Sequence, residues 1–326
     1  MSQSSEQSSE QSAEERELSA VERYKRAAKL RKAGPPLVVG PVPLADADTM
    51  WRGLARGGQM RFLVARASQA VRENCAKLDA GREASRLIAE TLIAGLLLRS
   101  TLSPGEQLQL ILHNEGPAGR IVADVWSDTG MRATVANLEI PQGMSGLGEG
   151  HLEVAKTRSG RSVYRSAVPL QGTIAETIMH YLLTSEQIVS LLRIERKVGA
   201  HGLEFAGGYL VQMMPEGTRD ELAQLVENLE SLPPLAAAMT GDDTDGLKWA
   251  GNLMAGFRWD QVAREGVEFR CRCSAERVLT MLATIPRHEI EELIAQREVV
   301  ETKCEYCQTE YAVSHEQLQS LLAEPS

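Results

Sequence analysis

The chain has 326 residues, 43% of them hydrophobic, so it is long enough for a sizeable core and for two folded units. Its formal net charge of -9 at pH 7 repels nucleic acid and anionic membranes in general, which leaves only local basic patches to consider. The N-terminus lacks the apolar core of a signal peptide, and the longest charge-free apolar run, Thr91 to Leu98, is too short to span a bilayer. We therefore expect a cytoplasmic protein that binds neither nucleic acid nor membranes.

Residues 1–50 are predicted to form an N-terminal extension. Up to about Ser12 the sequence consists mainly of Ser, Gln and Glu, and such a segment cannot bury enough apolar surface to offset its chain entropy, so we expect disorder. A helix is expected between Glu17 and Lys32. Its Lys and Arg residues are typical of a solvated helix face. The alternative is that this basic helix binds an acidic surface of a partner.

Residues 51–216 have the pattern of a mixed α/β core domain, within a chain that we assign to the α+β class. Apolar residues recur with helical spacing from Gly81 to Ser100. Thr184, followed three residues later by Gln187, predicts the start of another helix that runs through Leu192. Strands are predicted at Gln107–His113, Arg120–Val125, Leu152–Thr157, Ser162–Leu170 and Gly208–Met214.

The sequence changes in character over residues 217–266. A charged helical stretch leads to Pro233 and Pro234 and then to the loop-like Thr240–Gly246, yet several apolar residues, Trp249 among them, need to be covered. Apolar residues in a segment with weak helix start and stop signals indicate structure that depends on docking against a neighbour. We expect a helical, metastable linker that can be released.

Four of the five cysteines form two close pairs near the C-terminus, Cys271 and Cys273 in a C-x-C and Cys304 and Cys307 in a C-x-x-C. Two such pairs can present four thiolate sulfurs at the corners of a tetrahedron, which is what a structural zinc ion requires. Because the cytosol keeps ordinary thiols reduced, we expect the quartet to be metal-bound or redox-active. Cys75 has no local cationic cluster and is expected to behave as a small apolar residue.

Residues 267–326 are predicted to form a small zinc-binding module. A core of this size rarely supplies more than about 3 to 5 kcal/mol, whereas structural zinc contributes roughly 10 to 16 kcal/mol of apparent binding free energy. Helices are expected to start at Ser274, at Pro286 and at Ser314, which forms a capping box with Gln317. The expected ligands of one Zn²⁺ per chain are Cys271, Cys273, Cys304 and Cys307, with His288 and His315 as alternatives.

Two interpretations of the quartet remain open. One is a closed, inert zinc site in a structural zinc-ribbon protein that acts as a constitutive protein-interaction module. The other is a redox switch, because a bridge between residues i and i+2 of an extended strand demands a bend and is easily reduced. Peroxide or hypochlorous acid attacks zinc-held thiolates, and oxidation removes the ligands that keep the metal. The C-x-C spacing favours the switch.

Two other classes of protein, a nucleic-acid-binding zinc ribbon and an enzyme, fit the sequence less well. From Val267 to Ser326, eleven Glu face five Arg and one Lys, so a zinc ribbon that contacts nucleic-acid phosphates is disfavoured. An enzyme is disfavoured because Gly143–Gly146 misses the G-x-S-x-G pattern and Gly146–Gly150 does not join a convincing strand to a helix. Four thiolates also leave no open position on zinc for water. We read both glycine segments as loops and expect no enzymatic activity.

The motifs taken together resemble the heat shock protein 33 family. The resemblance covers about Arg61 to Leu322, and a small residue is common in the family where this chain has Gln308. The preceding stretch is an extension about which the resemblance says nothing. The segments that carry the resemblance are Ser185–Gln187, Ala206–Pro215, Phe269–Arg277 and Cys304–Cys307 with Tyr311.

This resemblance implies a redox-regulated holdase chaperone of the bacterial cytosol that works without ATP, and the chain has no G-x-x-x-x-G-K-[ST] phosphate loop. The four cysteines would bind zinc in the reduced, inactive form. Oxidation would join Cys271 to Cys273 and Cys304 to Cys307, expel zinc and unfold the module and the linker. The active form would be a homodimer that uses its core for client binding and dimerisation, holds unfolded client proteins and passes them to ATP-dependent foldase chaperones. The resemblance names no client-binding residues.

Overall fold

The structure is a computed structural model that describes residues 48–99, 102–199, 202–239, 246–295 and 299–323. These residues form two compact units, divided between Phe269 and Arg270, which are described separately below. The predicted disorder and helix of the N-terminal extension, and residues 240–245 of the predicted loop, lie outside the described residues. Within the described part of the chain, no helix combines the length and apolar character that crossing a membrane requires.

Two sheets organise the first unit. One has five antiparallel strands in the order β10-β1-β2-β9-β8, and the other has six in the order β11-β5-β4-β3-β6-β7, with β11 parallel to β5. The strands are β1 (Thr49–Ala55), β2 (Met60–Arg66), β3 (Glu106–Asn114), β4 (Ile121–Trp126), β5 (Gly130–Val135), β6 (Gly150–Arg158), β7 (Arg161–Pro169), β8 (Ser190–Gly199), β9 (Gly202–Met213), β10 (Trp259–Gly266) and β11 (Glu268–Phe269).

Four of the five predicted strands match β3, β4, β6 and β7 to within two residues at each end, and the fifth is the second half of β9. The turn between β6 and β7 lies at Ser159 and Gly160, whose positive φ angles of 51° and 76° favour the tight connection of a hairpin. The mixture of sheets and helices confirms the α+β assignment.

The long helix α2 (Arg82–Leu98) lies at the centre of the core, between helices α1 (Ser68–Leu78) and α3 (Ile174–Thr184) in chain order. Nearly every residue of α2 from Ala84 onward is buried, because the segment is rich in Leu, Ile and Ala and packs against strands of both sheets. The predicted helix over Gly81–Ser100 is thus confirmed.

The predicted helix start at Thr184 is wrong. Thr184 ends α3, and its hydroxyl donates a hydrogen bond to the carbonyl oxygen of His180 at 2.8 Å. Gln187 then adopts a left-handed conformation with a φ of 57°, and the chain continues into β8, which pairs with β9. Pairing along a whole strand therefore outweighs a local capping pattern.

Helices α4 (Arg219–Ser231), α5 (Leu235–Ala238) and α6 (Gly246–Leu253) fall in the predicted linker. They cover one face of the five-stranded sheet, and β10 extends that sheet alongside β1. Docking against a neighbour thus covers most of the large apolar residues of this segment, including Trp249. Whether residues 217–266 act as a releasable linker concerns their behaviour and stays a prediction.

The second unit consists of short elements. They are α7 (Ala275–Leu282), α8 (Arg287–Ala295), the hairpin strands β12 (Val300–Lys303) and β13 (Glu310–Val313), and α9 (His315–Ala323). The hydroxyl of Ser274 accepts from the N–H of Arg277 to cap α7, and Ser314 and Gln317 form the predicted capping box of α9. The buried core is small, as predicted, and centres on Leu282, Val313 and Leu318.

Candidate metal centre

Four cysteine side chains converge in the second unit. Cys271 and Cys273 lie in the irregular segment that leads into α7, and Cys304 and Cys307 lie in the turn that joins β12 to β13. The Ser274 cap fixes the start of α7 directly after the first pair, and the pairing of β12 with β13 holds the second pair in a tight turn. The structure therefore brings together all four residues that the sequence predicts as metal ligands.

The spacing of the four sulfurs fits a tetrahedral metal site. All four Sγ atoms lie within 4.8 Å of one another, and the separations of Cys271 from Cys273, Cys271 from Cys304, and Cys273 from Cys307 are 3.4, 3.7 and 3.3 Å. Four sulfurs at the usual zinc–sulfur distance of about 2.3 Å in a tetrahedron would be about 3.8 Å apart. All four cysteines are free thiols. A sulfur-only donor set of this geometry fits Zn²⁺.

Hydrogen bonds around the sulfurs orient them. The phenol of Tyr311 donates to Cys273 Sγ at 3.0 Å, and Thr309 Oγ1 lies 3.2 Å from Cys307 Sγ. The backbone of the turn is closed by hydrogen bonds from Cys304 N to the Thr309 oxygen and from Gln308 N to the Cys304 oxygen, both 2.9 Å. Such partners fix ligand orientation in metal sites. The resemblance pointed to Tyr311, whereas Thr309 was missed, although a hydroxyl residue two positions after the last cysteine is visible in the sequence.

The thiols of the quartet differ in acidity. Burial, together with contacts to the Cys307 and Cys271 sulfurs, raises the pKa of Cys273 to about 12, although the Tyr311 hydrogen bond acts in the opposite direction. Burial also acts to raise the pKa of Cys307, but hydrogen bonds from Thr309 and contacts with the other sulfurs bring it down to about 6. Neighbouring thiolates repel each other, so all four can be ionised together only when a cation compensates their charge.

The other candidate residues lie apart from this centre. Neither His288 nor His315 belongs to the cluster, which the four cysteines form by themselves among the described residues. Residues 143–149 form a loop, as predicted, in which the Ser145 hydroxyl donates to the oxygen of Leu147. Cys75 is buried in the core of the first unit, and burial raises its pKa to about 12, which agrees with its predicted role as an apolar residue.

In the first unit, the end of β10 is anchored to the core by Glu265. Its carboxylate accepts from Arg99 at 3.0 and 3.1 Å and lies 3.1 Å from Arg52 Nε. Arg99 is buried, and its side chain also donates to the backbone oxygens of Trp126 and Ser127. Sequence reasoning missed this Glu265 anchor, because its partners are far apart in the chain and no local pattern marks them.

Comparisons with known proteins agree with this architecture. A family model described as Hsp33 protein matches residues 48–314. The 33 kDa chaperonin of Thermus thermophilus is 32% identical over 295 residues, which is 84% of this chain and 86% of that protein. The 33 kDa chaperonin of Acaryochloris marina is 34% identical over 260 residues, which is 73% of this chain and 84% of that protein. The crystal structure of the 33 kDa chaperonin (heat shock protein 33 homolog) of Thermotoga maritima matches with a TM-score of 0.74 and 25% identity, covering 85% of this chain and 98% of that one.

Proposed function

Because this chain belongs to the heat shock protein 33 (Hsp33) family, whose members are chaperones and not enzymes, we propose that it is a redox-regulated holdase that works without ATP. The cluster of four cysteine sulfurs on a unit with a very small core carries this proposal. In the reduced state the quartet holds one Zn²⁺, which stabilises the second unit, and the protein is inactive.

Oxidation of the four cysteines converts the inactive form into the active form. Each molecule of peroxide takes two electrons from a pair of thiolates, and one S–S bond forms while the two peroxide oxygens leave as water after taking up protons. The pairs that we propose are Cys271 with Cys273 and Cys304 with Cys307, as the family resemblance implies. A sulfur in a disulfide is no longer a thiolate ligand, so Zn²⁺ leaves and the second unit loses its main stabilising interaction.

Residues 217–266 provide the surface for clients. While docked, they cover one face of the five-stranded sheet with side chains that include Leu225, Leu235 and Trp249, against Phe62 and Tyr209 of the sheet. Release of this segment would uncover apolar residues on the segment and on the sheet, and a large exposed apolar surface binds other apolar chains. We propose that unfolded client proteins bind there, that the released form is a cytoplasmic homodimer, and that ATP-dependent foldase chaperones receive the clients.

Light scattering of a heat-labile client enzyme tests the proposal. The client is warmed with the reduced, zinc-loaded protein or with the peroxide-treated protein, and released zinc is followed with a coloured chelator. We expect aggregation to be suppressed only after oxidation, together with release of about one zinc per chain. Cys75→Ala is the matched control, because it removes a cysteine outside the quartet and should leave both readouts unchanged.

Two results would contradict the switch. Equal protection by the reduced and oxidised forms would favour a constitutive protein-interaction module with a structural zinc site. Retention of zinc under peroxide, with no protection by either form, would make the quartet a structural site and leave the holdase activity without support.

A further inference from the structure

A cavity of about 140 Å³ in the first unit plays no part in the redox proposal. Residues of α1 and α2 line it, together with residues at the end of the β8–β9 hairpin. This volume is below the range of drug-sized ligand sites, so the cavity suits a small ligand. The apolar part of the lining is Cys75, Ala89, Val198 and Leu203, and the polar part is Glu83, Ser85 and the four arginines Arg72, Arg82, Arg86 and Arg196.

Positive charge is in excess around this cavity, although the whole chain is acidic. Arg86 Nε lies 2.9 Å from Glu83, and Arg86 Nη1 lies 3.2 Å from Glu90. Glu90 is also shared with Arg196, at 3.4 Å. Glu83 and Glu90 thus pair with two of the four lining arginines, Arg86 and Arg196.

The excess of positive charge around the cavity comes from the other two arginines, Arg72 and Arg82. No carboxylate among the described residues lies within ion-pair distance of Arg82. Arg72 donates to the backbone oxygen of Leu203 at 3.0 Å, and its nearby acid, Asp48, also faces Arg66. Partial burial lowers the pKa of Arg72, Asp48 acts to raise it, and the like charge of Arg66 acts to lower it, so Asp48, which Arg72 shares with Arg66, offsets only part of the positive charge here.

The first turn of α2 adds to this field. Arg82 and Glu83 are its first residues and line the cavity, and the preceding N-cap residue, Gly81, makes no side-chain hydrogen bond to the helix. The N-terminal end of a helix carries a partial positive charge and unpaired N–H groups, which favour an anion nearby.

We propose that this cavity binds a small anion that carries a phosphate group on a short carbon skeleton. The guanidinium groups of Arg72, Arg82 and Arg196 pair with the phosphate oxygens, whose geometry matches the planar fork of arginine. The carbon part lies against Val198 and Leu203. A phosphate monoester with a charge of about -1.5 to -2 at pH 7 matches the uncompensated charge better than a single carboxylate does. This site does not depend on the redox proposal.

Isothermal titration calorimetry of the reduced, zinc-loaded full chain tests the site. The probes are glycerol 3-phosphate and inorganic phosphate, with acetate as the singly charged comparison. We expect saturable binding of one glycerol 3-phosphate per chain with a Kd of about 1 mM or lower, weaker binding of inorganic phosphate, and no saturation by acetate. Arg82→Gln and Arg196→Gln should each weaken binding of glycerol 3-phosphate about tenfold, because each removes a charge-assisted hydrogen bond.

Arg193→Gln is the matched control. Arg193 lies on the same strand as Arg196 but three residues earlier, so its side chain points to the opposite face, and it is exposed. Because Arg82, Arg193 and Arg196 are all exposed, the three variants should keep the fold, which circular dichroism verifies. Absence of saturable binding overturns the site. An equal loss in all three variants also overturns it, because it would show attraction to general surface charge.

Discussion

The first unit buries a large, continuous set of apolar side chains around α2, whereas the buried cluster of the second unit consists of Leu282, Val313 and Leu318. In both units, folding must offset a similar loss of conformational entropy per residue. In the first unit apolar burial does this, and in the second unit we propose that a metal ion held by the four sulfurs contributes. The difference predicts that one chain contains a unit that tolerates oxidants and a unit that an oxidant can unfold.

The largest expected effect comes from removing one ligand. Cys304→Ser should leave the second unit unfolded, because structural zinc contributes roughly 10 to 16 kcal/mol of apparent binding free energy in small modules. Limited proteolysis should cut the variant within residues 270–323 and within the proposed linker, residues 217–266, while residues 48–216 stay intact, and a chelator should do the same to the parent protein. Cys75→Ala controls for loss of a thiol. A protease-resistant second unit in Cys304→Ser would mean that apolar packing suffices there.

A mutation that creates a cavity in the core of the first unit should destabilise that unit and leave the second unit unaffected. Leu96 is fully buried in α2, so Leu96→Ala should lower the free energy of unfolding of the first unit by about 2 to 5 kcal/mol. All four tryptophans lie in this unit, so tryptophan fluorescence in urea reports on it selectively. Zinc content should not change. Leu183→Ala, at a side chain that is 56% exposed, is the control and should have little effect.

The stabilities of the two units should respond to mild acid in opposite directions. Burial raises the pKa of Asp48 to about 6, despite hydrogen bonds and nearby arginines that act to lower it. Because the folded state keeps this proton and the unfolded state releases it, the stability of the first unit falls by up to about 3 kcal/mol as the pH rises from about 4 to about 6, and does not change further above that. Thiolate ligands bind zinc less well in acid, so the second unit should change in the opposite direction.

Asp48→Asn isolates this effect. Its amide oxygen can still accept the hydrogen bond that Asp48 Oδ2 receives from Ala70 N at 2.7 Å, but it cannot ionise. The difference between variant and parent in urea unfolding, followed by tryptophan fluorescence, should grow from about pH 4 to about pH 6 and then stay constant. A difference that does not depend on pH would show that Asp48 has an ordinary acidity in the folded protein.

Weakening the Glu265 anchor should favour the proposed release of residues 217–266. Glu265→Gln removes the negative charge that buried Arg99 faces, which should cost about 1 to 3 kcal/mol of the docking free energy of β10. Amide hydrogen exchange should become faster in β10, and less oxidant should be needed for holdase activity. Asp260→Asn, in a pair with Arg56 in which both side chains are 60% exposed, is the control on the same strand and should change neither.

Local signals in the sequence were enough for part of this picture. The spacing of Cys271, Cys273, Cys304 and Cys307 identified the candidate site, and alternating apolar residues identified most strands of the six-stranded sheet. These features depend on neighbours in the sequence. The assignment of β8 as a helix failed because pairing with β9 decides its structure. The Glu265 anchor joins residues 166 positions apart, so no window of the sequence could reveal it.

The smallest effect concerns the turn that holds the second cysteine pair. Gln308 has a φ of 59°, a left-handed conformation that costs a side-chain-bearing residue roughly 1 kcal/mol and glycine almost nothing. Gln308→Gly and Gln308→Ala both lose the side-chain hydrogen bond to the Cys304 oxygen, so only the backbone preference distinguishes them. In a chelator competition, the Gly variant should retain zinc about fivefold better than the Ala variant. Equal retention would mean that the metal alone imposes the turn, and that the stability of the second unit depends even less on its own chain than its small core implies.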